Sequence, residues 1–292
     1  MNSSADHIME SRICWVVALR PEAQVLIERF RLSPATSSGG GFPMYRSEDG
    51  SVELVVSGPG KTSSAAAAGY LAGRNWNDGR TSGWINFGIA GSGGDDYGRL
   101  FLGNCVSSEA GSESWYPPAV WTMKNSLQRR RILTVDEPTL DYPSDGTLVE
   151  MEAAGFYPAV LRAGTSELCQ VLKVVSDDPS HAMANIDKAK VIRLCHGALD
   201  QGEDWLTAFR ELLEEEAMEN AEPEAFQKLL SELRFSVTQQ HQLRRLLQQL
   251  VALGYEENIA SSSWRDGKSC LRELREELEI LRVSVDDSSG GF

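Results

Sequence analysis

The chain has 292 residues, 41% hydrophobic and 24% charged, which is enough apolar material for one large domain or for one domain plus an appendage. A formal net charge of −14 argues against a nucleic-acid backbone or an anionic membrane surface as the main partner. Five scattered cysteines (Cys14, Cys105, Cys169, Cys195, Cys270) lack CxxC or Cys/His spacing, which is neither a zinc site nor a disulfide framework. That usage, a polar stretch at 1–12 and the lack of any apolar run of membrane-span length lead us to expect a cytoplasmic protein with no membrane partner.

Residues 13–19 form a continuous apolar run of the buried-strand kind. Pro21 suits the first position of a helix, and 23–30 carries Val25, Leu26, Ile27 and Phe30 at helical spacing. Glu22 therefore stands just past the carboxyl end of a strand, where open α/β sheets place ligand groups. A Ser/Gly-rich loop at 36–41 leads to a strand at 44–46. The buried strand predicted at 52–56 then runs through Ser57-Gly58-Pro59-Gly60-Lys61-Thr62 into an alanine-rich helix at 63–71. The Gly-Lys-Thr is not a Walker A loop, because Val55 stands where its first glycine belongs. It is a tight strand-to-helix turn whose amides are free to face an anion.

A third strand, 84–87, ends in the glycine cluster 88–94, where a bare backbone allows close approach of a ligand. The cluster lacks the G-x-G-x-x-G order of a dinucleotide site. A strand at 100–106 precedes an irregular aromatic loop at 107–127. The triplet Arg129-Arg130-Arg131 reads as a solvated face rather than a phosphate clamp, and 132–135 is a further short strand. The stretch 149–155, Val-Glu-Met-Glu-Ala-Ala-Gly, sets Glu150 and Glu152 about Met151 and follows them with small residues. Acids are favoured in the first turn of a helix, and the small residues let another backbone or a ligand come close. A helix to about Arg162 and a strong strand at 168–175 follow, and Ser176-Asp177 stands just beyond that strand's carboxyl end. Alternating strands and helices over 13–180 argue an α/β sandwich. From 184 onward the pattern is helix only, at 186–199, 205–216, 226–233, 239–253 and 271–281, with leucines every three or four residues and Gly254 as a helix stop. His241, among glutamines, faces solvent in this reading.

Five pieces recur in the order and rough spacing of one family: Val-Ala-Leu-Arg-Pro-Glu (17–22), Ser-Gly-Pro-Gly-Lys (57–61), Asn-Phe-Gly-Ile-Ala-Gly (86–91), Val-Glu-Met-Glu-Ala-Ala-Gly (149–155) and Val-Val-Ser-Asp (174–177). Over roughly 13–215 the chain resembles the purine nucleoside phosphorylase and nucleosidase superfamily, closest in pattern to the methylthioadenosine/S-adenosylhomocysteine nucleosidases. The resemblance implies an α/β three-layer sandwich with a central mixed sheet over 13–217; the helical pattern beyond it reads as an all-helical extension over 218–292, outside the family core. It implies hydrolysis of the N-glycosidic bond of an adenosine-type or related purine nucleoside, in a homo-oligomer.

By the same resemblance Asp177 matches the general acid that protonates the purine N7, and Glu22 the glutamate that orients or deprotonates the attacking water. Glu152 matches the residue that holds the ribose hydroxyls, and Met151 the methionine packed on the ribose. Ser176 would hold the Asp177 loop, and Gly88, Ala90 and Gly91 belong to a substrate-binding glycine motif. Glu150 is expected to be solvated or structural. No metal or cofactor is implied, and phosphate enters as co-substrate only if the chain is a phosphorylase. Two departures matter. Ile89 stands where nucleosidases carry a serine, and Arg20-Pro21-Glu22 replaces the Gly-Asp-Pro phosphate turn of phosphorylases. Glu22 would repel phosphate, while Arg20 leaves phosphorolysis as an alternative. A further alternative is an inactive nucleoside-binding or regulatory protein with a helical interaction tail. The base-stacking residues, looked for in 107–127, align with nothing.

Overall fold

The computed structural model describes residues 11–35, 41–75, 80–118, 127–181, 183, 186–220, 223–255, 258–259 and 264–289. The chain folds as two compact units, Met1–Ala217 and Met218–Phe292. The first contains ten strands among its described residues: β1 (Ser11–Val17), β2 (Ser33–Pro34), β3 (Met44–Arg46), β4 (Val52–Val56), β5 (Thr81–Ser92), β6 (Leu100–Ser108), β7 (Ser114–Trp115), β8 (Gln128–Thr134), β9 (Leu148–Glu150) and β10 (Cys169–Asp177). Between and after them come helices α1 (Arg20–Phe30), α2 (Lys61–Asn75), α3 (Ala153–Val160), α4 (Lys188–Gln201) and α5 (Glu203–Asn220).

The sheet is mixed, as expected. β4, β1, β5 and β10 run parallel, as do β6, β8 and β9; β10 meets β6, and β5 meets β9, antiparallel. Strands β5, β10, β6, β8 and β9 thus close a ring, and β1, β4, β3 and β2 extend from β5 as an open flank. Strands β1, β4 and β10 are buried along their whole length, which is why they read as mostly apolar runs, interrupted by paired polar residues such as Glu53 and Lys173, rather than as alternation. One face is covered by α1, α4 and α5 through Leu26, Leu194, Ala198 and Phe209. The other is covered by α2 and α3 through Ala67, Leu71, Phe156 and Val160. These are the three layers the resemblance implied.

Helices α2 and α3 approach at Gly155, where a Cβ would lie 1.8 Å from the carbonyl oxygen of Lys61. The small residues after Glu152 thus admit another backbone. Three sequence expectations change. The strand predicted to stop at 87 continues through the glycines to Ser92, because Gly88–Gly91 go on pairing with Lys173–Asp177 of β10. The motif at 149–155 opens with a strand, β9, too short to show a period. The loop expected over 107–127 contains the end of β6 and all of β7, and its residues 119–126 lie outside the described residues, as do 36–40 of the earlier loop.

In the second unit, α6 (Glu224–Glu232), α7 (Val237–Ala252) and α8 (Gly267–Ser289) enclose a core of Phe226, Leu229, Leu243, Leu247, Leu250, Leu274 and Leu278. Helix α7 starts with a capping box: Gln239 N–H donates to the Ser236 hydroxyl (3.3 Å), and Ser236 N–H donates to the Gln239 side chain (2.9 Å). Just past its end Gly254 takes φ +77°, the left-handed conformation a helix stop wants. His241 is exposed.

Candidate active site

A cavity of about 200 Å³ opens at the carboxyl ends of the parallel strands of the first unit, lined by Glu22, Glu152 and Asp177 together. Each carboxylate arrives from a different element. Glu22 is third in α1, so its side chain folds back over the helix start. Its Oε2 accepts the N–H groups of Ala18 (3.1 Å) and Leu19 (2.8 Å), and its Oε1 that of Ile89 (3.0 Å) from β5. Gly88 lies beneath it, and a Cβ there would come 2.7 Å from Oε1. Glu22 is 2% exposed. Burial pushes its carboxyl up to about 7, against the pull of the amides and of the Lys173 charge.

Glu152 stands at the N-cap of α3, and its Oε1 accepts the N–H of Gly60 at 2.9 Å. Gly60, at φ +98°, turns that amide toward the cavity. The anion faced by the strand-to-helix turn at 57–61 is therefore the protein's own carboxylate. Burial raises the Glu152 carboxyl above its ordinary value, and the charge of Lys173, 3.7 Å away, lowers it.

Glu150 is not solvated. Its Oε2 takes the Lys173 ammonium at 2.8 Å and the N–H groups of Glu152 and Ala153, each at 2.9 Å; its Oε1 takes the Thr134 hydroxyl at 2.5 Å. It is structural, a buried acid on the first amides of α3. Lys173 is 1% exposed in the middle of β10. Burial opposes its charge, but Glu150, Glu152 and Glu22 outweigh that and hold its pKa above the usual value.

Asp177 ends β10 and pairs across the sheet with Gly91. Its Oδ1 accepts the Ser176 hydroxyl at 2.5 Å, and its Oδ2 accepts the hydroxyl of Tyr142. Burial, the bond to Asp177 and the charges of Asp177 and Asp178 raise the phenol's pKa, so it stays a donor. Met151, Ala90, Gly91 and Ser176 also line the cavity, and Gly88 acts through Glu22.

The wall looked for in 107–127 comes from elsewhere. None of the described residues of that stretch lines the cavity, and Val135, Pro138, Thr139 and Tyr142 do. Reading by sequence missed Tyr142, Thr134 and Lys173. Only Lys173 left a signal, a charge inside an otherwise apolar buried strand, which demands a partner. Among the described residues no lysine or arginine lines the cavity: Arg20 is exposed, and the Arg129–Arg131 triplet lies on β8 away from it. Among the described residues no group of His, Cys, Asp or Glu could hold a metal ion, and no helix is long and apolar enough to cross a membrane. All five cysteines are buried thiols outside any disulfide.

No family model matches the chain, and no curated protein matches it in sequence. Solved structures do match in fold. A variant of the Helicobacter pylori methylthioadenosine/S-adenosylhomocysteine nucleosidase with 5′-methylthioadenosine in the active site is 14% identical, with a TM-score of 0.54 over 68% of this chain and 98% of that one. The 5′-methylthioadenosine nucleosidase of Arabidopsis thaliana is 18% identical, with a TM-score of 0.55 over 68% and 96%. A futalosine hydrolase variant of Helicobacter pylori is 14% identical, with a TM-score of 0.53 over 69% and 99%. The chain shares the fold of these nucleosidases and of this hydrolase.

Proposed function

We propose that the chain is a purine nucleosidase that hydrolyses the N-glycosidic bond of an adenosine-type or related purine nucleoside. The observation that carries this reading is the meeting of Glu22, Glu152 and Asp177 in one cavity, which no cationic side chain lines among the described residues. Cleavage develops positive charge on the sugar and negative charge on the departing base, so a site of carboxylates suits both ends of the bond. Asp177, protonated, gives its proton to N7 as the C1′–N9 bond breaks and its electron pair leaves with the base. Glu152 accepts the ribose hydroxyls, and those bonds strengthen as the sugar becomes cationic. Met151 packs against the ribose. Glu22 takes the proton of the water that attacks C1′, a task for which a carboxyl poised near 7 is suited.

Phosphorolysis is the weaker reading. A phosphate dianion would enter a cavity lined by four acids, Glu22, Glu150, Glu152 and Asp177, and by no cation among the described residues, because Lys173 is engaged by Glu150. Nucleoside binding without turnover is favoured by two observations: Ile89 stands at the nucleosidase serine position, and Tyr142 sits on Asp177. The test is a panel of purine nucleosides incubated without phosphate. We expect release of free base, and loss of release in Asp177→Asn. Release that needs phosphate and yields a sugar phosphate would sink the hydrolase reading; tight binding of one nucleoside with no release would make the chain a binding protein.

A further inference from the structure

The segment 136–147 joins β8 to β9 and is exposed along most of its length, with Leu140 at 70%. Its ends are held, at Asp136 by the Lys61 ammonium (2.8 Å) and at Thr147 by burial. Between them one large side chain turns into the cavity, that of Tyr142. We infer that Tyr142 is an internal occupant of the base end of the cavity, and that a purine nucleoside binds by exchanging its N7 for the Tyr142 hydroxyl on Asp177. The inference rests on the nucleosidase reading above.

Three observations carry it. The register of β10 on β5 sets Asp177 beside Gly91, and Tyr142 covers both. A Cβ on Gly91 would lie 2.4 Å from the Tyr142 ring and 2.9 Å from Asp177 Oδ2, so the ring sits against the bare strand next to the acid. Next, Ser176 occupies Oδ1, which leaves Oδ2 as the oxygen that can address a ligand, and the phenol holds it. Finally, the segment is seated on glycines rather than packed into the core. The Pro143 carbonyl oxygen lies 2.6 Å from where a Cβ of Gly93 would be, and the hydrogen bonds of Asp141 N–H to Thr139 and of Thr147 N–H to Asp145 stay within the segment.

The exchange has a definite proton balance. The phenol donates to Asp177, whereas N7 accepts. Tyr142 keeps its own proton when it leaves, so Asp177 must take one from solvent before it can bond N7. The complex therefore holds Asp177 in the protonated form that general-acid catalysis uses. Until then the phenol lowers apparent affinity, since only the fraction of molecules with Tyr142 displaced accepts the base.

The experiment uses the full-length protein and two measurements. The first is steady-state hydrolysis of the nucleoside found in the panel, by wild type and Tyr142→Phe. The second is urea unfolding of wild type, Tyr142→Phe, Asp177→Asn and the double variant, as a cycle. A hydrogen bond to a charged group is worth about tenfold in an equilibrium constant. We expect KM to fall about three- to tenfold in Tyr142→Phe with a matching rise in kcat/KM, and the cycle to show coupling of about tenfold in the folding equilibrium. Coupling with a lower kcat/KM would overturn the exchange, since Tyr142 would then belong to the bound site. No coupling would mean that the contact does not hold in solution, and would overturn it while leaving the hydrolase reading intact. If neither protein cleaves or binds any nucleoside while coupling persists, the hydrolase reading fails and the contact is a structural bond.

Discussion

Glu22 shows how one residue ties stability to chemistry. Its carboxyl is ordinarily near 4.5 and is pushed up to about 7 by burial. In the window between those values the folded protein holds a proton that the unfolded chain releases, so stability falls as pH rises from about 4.5 through about 7. The shift corresponds to about 3 kcal/mol over the whole window. Urea unfolding of wild type and Glu22→Gln at pH 5 and pH 8 reads this directly. Wild type should lose about 2.5 kcal/mol relative to the variant on going to the higher pH; a difference that does not change with pH would mean that Glu22 ionises normally. The same ionisation should set the acid limb of activity, with hydrolysis falling below about pH 7 as the base is protonated.

Glu22, Glu152 and Asp177 were legible in the sequence because each stands at a strand or helix end, where short motifs leave a mark. The Lys173–Glu150–Thr134 group was not. Its members are far apart in the chain and meet only through the pairing of β8 with β9 and the closure of β5, β10, β6, β8 and β9 into a ring. Tyr142 was hidden for a similar reason. Its role comes from the bare backbone of Gly91, fifty-one positions earlier.

Elements were legible where one physical signal dominated. The strand at Val52–Val56 is apolar at every position but Glu53, and the structure gives it those bounds. β9 has three residues and β2 two, which no periodicity can announce. β5 was cut short because glycine is normally a strand breaker; here each bare position lies under a side chain, Glu22 over Gly88 and Tyr142 over Gly91. The same logic makes Gly155 a test of the α2–α3 contact. In Gly155→Ala the added methyl would meet backbone, the Lys61 carbonyl, which cannot rotate aside. The helices must separate, at a cost of about 3 kcal/mol by the usual range for overpacking. Because Gly60 donates to Glu152 across that contact, activity should fall along with the urea midpoint. An alanine variant with both unchanged would mean that the two helices are not packed this closely in solution.

At the scale of the whole molecule, the cavity and everything that shapes it lie within Met1–Ala217, while the second unit has its own apolar core around Leu243, Leu247 and Leu274. Each core is formed by residues of one unit, so the two should unfold as separate cooperative transitions. Helix α5 ends at Asn220, which sets the natural place to stop the chain without cutting a helix. The chain ended after Asn220 should fold and release purine base at a rate within about twofold of the full protein, since removing a unit with its own core should have only small effects. Release that collapses while the shortened chain stays folded would show that the helical extension takes part in the reaction, and would move the search for substrate contacts to 218–292. Measuring mass in solution on the same pair tests the proposed homo-oligomer and says which unit makes it. If both forms share one assembly state, the α/β unit holds the interface; if only the full chain assembles, the helical extension does, which would be the use for its leucine-spaced helices that the resemblance does not supply.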